Sequence, residues 1–131
     1  MRNLGSLIII AVGAVSLVFG IIFIVQAGSG EQQIKDDIAP LAIDQVDAQY
    51  DAVVAQQNQI RAAEEPKIQA GQAAPSAMYN YLTIQRTSLG LARTNIGQVG
   101  FTRTTGIVNI VLGVGLLFAG ALLMQKKSAS Q

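Results

Sequence analysis

The chain has 131 residues, half of them hydrophobic, with nine Lys and Arg against eight Asp and Glu and a formal net charge of +1. It contains no Cys, no His and no Trp. Disulfide frameworks and thiolate chemistry are excluded, the usual zinc and haem ligands are missing, and the near-neutral charge speaks against nucleic-acid binding. No cofactor or metal is expected.

Residues 4–25 carry fifteen Leu, Ile, Val and Phe side chains and no charge. A bilayer core about 30 Å thick needs roughly 20 apolar helical residues to cross it. Each such residue favours insertion by roughly 0.3–0.6 kcal/mol. The stretch reads as a transmembrane helix over residues 4–27, after a cytoplasmic N-terminus at 1–3. A cleaved signal peptide is the rival, since Val25, Gln26 and Ala27 have the form of a cleavage site. The apolar run exceeds the usual signal core of about 7–15 residues, which favours the membrane helix. Ser6, Gly13, Gly20 and Ala27 recur every seven residues and predict a close helix–helix contact.

Residues 28–104 alternate between helical periodicity and breakers. Ile43, Val46, Tyr50, Val53, Gln57 and Ile60 step by three and four, the coiled-coil period. This predicts a helix over about 31–63, with Gly28, Ser29 and Gly30 loosening its join to the membrane helix. Pro40 fits the first turn of a helix, or a kink in a longer one. Residues 64–76, with Pro66, Gly71 and Pro75, read as a loop. Ser76 suits the N-cap of the next helix. Met78, Leu82, Gln85, Leu89, Ala92, Ile96 and Val99 then resume the same period over 77–104.

The second apolar stretch, residues 105–124, has Asn109 as its one strongly polar residue. Gly106, Gly113 and Gly120 again stand seven apart and continue the phase of Val99. A single helix from about 77 to 124 is predicted, roughly 70 Å long at 1.5 Å per residue. Gly90, Gly97 and Gly100 are places where it can bend. Residues 125–131 form a short tail.

The fold class expected is an all-α membrane protein, with two transmembrane helices joined by an extracytoplasmic, coiled-coil-like helical hairpin. Arg2, Lys126 and Lys127 flank the apolar stretches on one side, and Glu31, Asp36 and Asp37 follow the first on the other. The positive-inside rule puts both termini in the cytoplasm of a multi-pass protein of the cell membrane.

All eight acids lie between Glu31 and Glu65, whereas residues 66–104 contain four cations and no acid. One antiparallel register pairs Asp51 with Arg86 and Asp44 with Arg93. Gln26 and Asn109 fall near the outer membrane edge, where a hydrogen bond between them is expected. Ala48, Ala52, Ala55 and Ala62 form a further line on the first outer helix, suited to another chain.

Asp44, Asp47 and Asp51 make an acidic stripe that reads as a solvated face. Tyr50, Tyr79 and Tyr81 are candidates for lining a ligand slot. Hydroxyls without His or an activating Lys motif, and the lack of a phosphate loop, argue against an enzyme. The partners expected are the lipid bilayer and either further copies of the chain or a larger membrane complex. The function read from the sequence is a non-enzymatic structural or accessory membrane protein that assembles through its small-residue faces. The alternative is an extracytoplasmic binding or sensing module coupled to a partner through its membrane helices.

Overall fold

The structure is a computed structural model and describes residues 4–128. Arg2, residues 129–131 and the side chain of Lys127, on which the reading of the termini draws, lie outside the described residues. The described chain is all helical. Helix α1 covers Leu4–Ile38, a 3-10 turn covers Ile43–Gln45, α2 covers Val46–Gln69 and α3 covers Ala77–Ser128. Helices α1 and α3 are each long and apolar enough to cross a membrane. Two compact units result: Met1–Gly30 with Gln98–Gln131, and Glu31–Gly97.

In the first, apolar unit, α1 and α3 run antiparallel. Ser6, Gly13, Gly20 and Ala27 are buried on α1, and Gly106, Gly113 and Gly120 on α3. A strict seven-residue repeat keeps such a seam facing its neighbour along a left-handed pair. The bulky side chains point the other way: Leu7, Ile8, Val15, Phe19, Val111 and Phe118 are all more than half exposed.

The helix does not yield at Gly28, Ser29 and Gly30, where a loose join was expected; α1 runs through them to Ile38. A β-carbon on Gly30 would stand 3.0 Å from Val99 Cγ2, so this glycine serves a close approach. The break comes instead at Ala39 and Pro40. Proline has no N–H to donate, and its ring disfavours the helical region for the residue before it. The N–H of Leu41 bonds the Ile38 carbonyl, and Ala42 is extended, its N–H donating to Gln45 Oε1.

The second, polar unit combines the end of α1 with the 3-10 turn, α2 and the first part of α3. Ile34, Val46, Val53, Leu82 and Ala92 are its buried apolar residues. Helix α2 continues past Pro66, where a loop was expected, and ends at Gln69. The stop is set by Gly71, whose φ of +68° needs glycine. The N–H of Gly71 bonds the Ile68 carbonyl and that of Gln72 the Lys67 carbonyl, a Schellman closure.

Candidate functional site

The glycine seam is set by backbone contact. A β-carbon on Gly20 would lie 2.8 Å from the Gly106 carbonyl oxygen, and one on Gly106 would lie 2.9 Å from that of Gly20. Gly13 and Gly113 are related in the same way, at 2.9 and 2.7 Å. Gly120 fits against Ile10 and the Ser6 carbonyl. With no side chain between them, the two backbones reach a separation that larger residues forbid. In lipid, where helices gain nothing from excluding water, that close packing is what holds a pair together. The small-residue lines of the two stretches therefore meet each other within one chain.

This register parts Gln26 from Asn109. Six residues beyond Gly20 is Gln26, which falls level with Gly100. Asn109 is nine residues further along α3, about 13 Å of helix rise. Gln26 is exposed and Asn109 half-buried. The expected hydrogen bond between them is not formed, because the glycine contacts set the register and offer no exchange for one polar pair.

In the polar unit, α2 and α3 meet around Gln57, only 4 % exposed. Its Nε2 donates to Thr83 Oγ1 at 3.0 Å, and its Oε1 accepts from Arg86 Nη1 at 2.9 Å. Arg93 Nε is 2.8 Å from Asp47 Oδ1, and its guanidinium lies 5.5 Å from the centre of the Tyr50 ring. The expected pairs Asp51–Arg86 and Asp44–Arg93 are thus replaced by Gln57–Arg86, six residues further along α2, and Asp47–Arg93, three residues further. The energetic order explains it. An exposed ion pair contributes about 0–1 kcal/mol, whereas a buried amide left without partners costs about 1–3 kcal/mol. Sequence periodicity places Gln57 on the seam, but its partners emerge only once Thr83 and Arg86 stand opposite.

The three tyrosines do not share a slot. Tyr50 lies against Arg93, and Tyr81 accepts a hydrogen bond from Gln85. Tyr79 stands at the loop end of α3, where its N–H donates to Ser76 Oγ, the N-cap contact.

The turn between α2 and α3 is latched. Glu64 accepts from the Ser76 N–H at 3.0 Å and from its hydroxyl at 2.7 Å. Those two bonds hold the Glu64 carboxyl below the ordinary carboxylate range. Arg61 makes a two-point contact with Glu65 at 3.1 and 2.9 Å, which lowers the Glu65 pKa and raises that of Arg61.

One concavity arises from the break at Pro40. A groove of about 410 Å³ is lined by Ile38, Pro40, Leu41, Gln45, Gln85 and Leu89, among others. A smaller hollow of about 220 Å³ lies between Ile34, Asp37 and Ile38 of α1 and Ser88, Leu91, Ala92 and Asn95 of α3. The end of α1 and the start of α2 thus both border the same stretch of α3. The one sequence signal for this groove is the Ala39–Pro40 step. Among the described residues, no three acidic side chains gather as a metal site. Comparison with known protein families, with curated protein sequences and with solved structures finds no match.

Proposed function

We propose that this chain is a non-enzymatic integral membrane protein of structural or accessory type. Its glycine-packed helix pair spans the bilayer with both termini cytoplasmic, and it displays the α2–α3 hairpin on the outer side. One observation carries the reading: the pair turns its small residues inward and its large apolar side chains outward. Contiguous apolar surface of that extent is a liability in water and the proper exterior of a protein in lipid. A buried core helix of a soluble protein shows the reverse arrangement.

The test is extraction of the full-length protein from membranes by alkaline carbonate. It should stay in the pellet and be released only by detergent; release by carbonate alone refutes the reading. Sidedness is read by labelling Ala73→Cys, in a chain without native thiols, with an impermeant maleimide on intact cells. Labelling only after the cells are opened would reverse the topology.

The groove beside Pro40 favours a second reading, an outer binding or sensing module. Its volume falls within the range of small-molecule sites, about 300–1,000 Å³. A ligand for it should raise the melting temperature of the wild type but not of Leu89→Trp, which fills the groove. A broad screen of small amphipathic solutes with no shift in the wild type removes this reading.

A further inference from the structure

Among the described residues that line the groove beside Pro40, Asp37 is the one charged side chain, and no base accompanies it. The smaller hollow is also bordered by Asp37 and also lacks a base. We propose that the groove takes a small organic ammonium ion, its cationic head against Asp37 and its apolar body against Ile38, Leu41 and Leu89. The proposal rests on the groove being a binding site and names the class of ligand it takes.

Three observations select a cation. The first is the place of Asp37 in its helix. Helix α1 ends at Ile38, so Asp37 belongs to its last turn. Partial negative charge collects at a helix C-terminus, where a carboxylate is disfavoured and a cation is favoured. The second is that the chain's own nearby cations are engaged elsewhere. Lys35, the base of that last turn, lies 2.9 Å from Glu31 Oε1. On α3, Arg86 donates to Gln57 and Arg93 holds Asp47. The neighbouring Asp36 accepts from Gln32, whereas no side chain among the described residues bonds Asp37. The third is the rest of the lining. Gln85 gives its Nε2 to Tyr81, which leaves its Oε1 as an acceptor, and Gln49 and Ser88 add an amide and a hydroxyl. An ammonium head has donors only, and these groups can accept them. A carboxylate ligand would meet Asp37 and the end of α1 with like charge. Asp37 is exposed, so a head group reaches it without displacing protein.

The experiment is calorimetric titration of the full chain in nonionic detergent, with heats into empty micelles subtracted. Hexylammonium, hexanol and hexanoate are the probes, which share one hydrocarbon chain and differ in charge. Hexylammonium should bind saturably, at least about tenfold more tightly than either of the others, as a charge-assisted contact predicts. Asp37→Asn should weaken hexylammonium about tenfold and leave hexanol unchanged. Asp36→Asn, which removes the same charge one residue away, should leave both unchanged. Leu89→Trp, which fills the groove, should abolish binding.

Equal affinity for the three probes, a preference for hexanoate, or an effect of Asp37→Asn no larger than that of Asp36→Asn would each overturn the ammonium proposal. In those outcomes binding that Leu89→Trp still removes leaves the groove as a binding site. No saturable binding of any probe to the wild type, or binding indifferent to Leu89→Trp, defeats the groove reading itself and the proposal with it.

Discussion

The carbonyl oxygen of Gly113 lies 2.9 Å from the point where a β-carbon on Gly13 would stand, and the reverse distance, from Gly113 to the Gly13 carbonyl, is 2.7 Å. Both are shorter than any real β-carbon contact, and the obstructing atoms are backbone. Neither helix can swing a side chain aside; the helices must separate.

Gly13→Ala or Gly113→Ala should therefore destabilise the α1–α3 pair by about 1–3 kcal/mol, the usual cost of overpacking. Gly28→Ala is the comparison, since nothing lies within 4 Å of its added methyl group. There the better helix propensity of alanine should stabilise by about 0.5–1 kcal/mol. Thermal melting in detergent, followed by circular dichroism, separates the two. A melting temperature unchanged by Gly13→Ala would mean that the seam does not hold the pair.

Gln57→Ala removes both side-chain bonds at the α2–α3 contact, and the exposed Thr83 and half-buried Arg86 turn to water instead. A loss of about 0.5–1.5 kcal/mol per bond is expected, the usual net worth of a hydrogen bond. Gln57→Glu should keep the Arg86 contact and lose less. Chemical denaturation of the full chain in mild detergent measures both.

The hairpin register makes a sharper forecast about charges. Arg93→Asp should weaken the hairpin slightly, within the 0–1 kcal/mol of an exposed pair. Adding Asp47→Arg should recover most of that loss, and adding Asp44→Arg should not. Recovery by Asp44→Arg instead would restore the register three residues away.

The Glu64–Ser76 latch depends on pH. The folded pKa of Glu64 is lowered, so its contribution is complete above the unfolded-state carboxyl value of about 4.3 and is lost as the pH falls through the folded value. Glu65, held by Arg61, acts in the same direction. Hydrogen exchange at the Ser76 amide, corrected for intrinsic rates, should lose protection on acidification below that value. In Glu64→Gln that protection should no longer respond to acid, while the Arg61–Glu65 contact is untouched. An acid response unchanged in Glu64→Gln would assign it to Glu65.

Helix identity and apolar length were legible in the residues alone, because a seven-residue repeat of Ser6, Gly13 and Gly20 and a charge-free run of twenty residues depend only on local order. The N-cap at Ser76 was legible for the same reason. The site where α1 breaks was misplaced. Gly28 and Gly30 are weak helix formers, but the hydrogen-bond ladder of α1 runs through both, and Gly30 packs close to Val99, whereas Pro40 removes a donor outright. Gly71 likewise outranks Pro66 as a stop, since a positive φ excludes other residues more firmly than proline excludes a last helical turn.

Partner choice was beyond sequence. Asp44, Asp47 and Asp51 are equivalent as charges within reach of Arg93, and each exposed pair is worth too little to select a register. In the α2–α3 hairpin the choice fell to Gln57, whose burial demands partners; in the α1–α3 pair it fell to backbone contacts such as Gly20 with Gly106. Composition and periodicity thus determined which segments are helical and which small residues line up. Only the tertiary structure decided that those lines face each other within one chain, which pairs form in the α2–α3 hairpin, and that Ile84 and Leu91 are left exposed. Local order reports what each helix offers; short-range contact free energies, summed over the whole interface, decide which offer is taken.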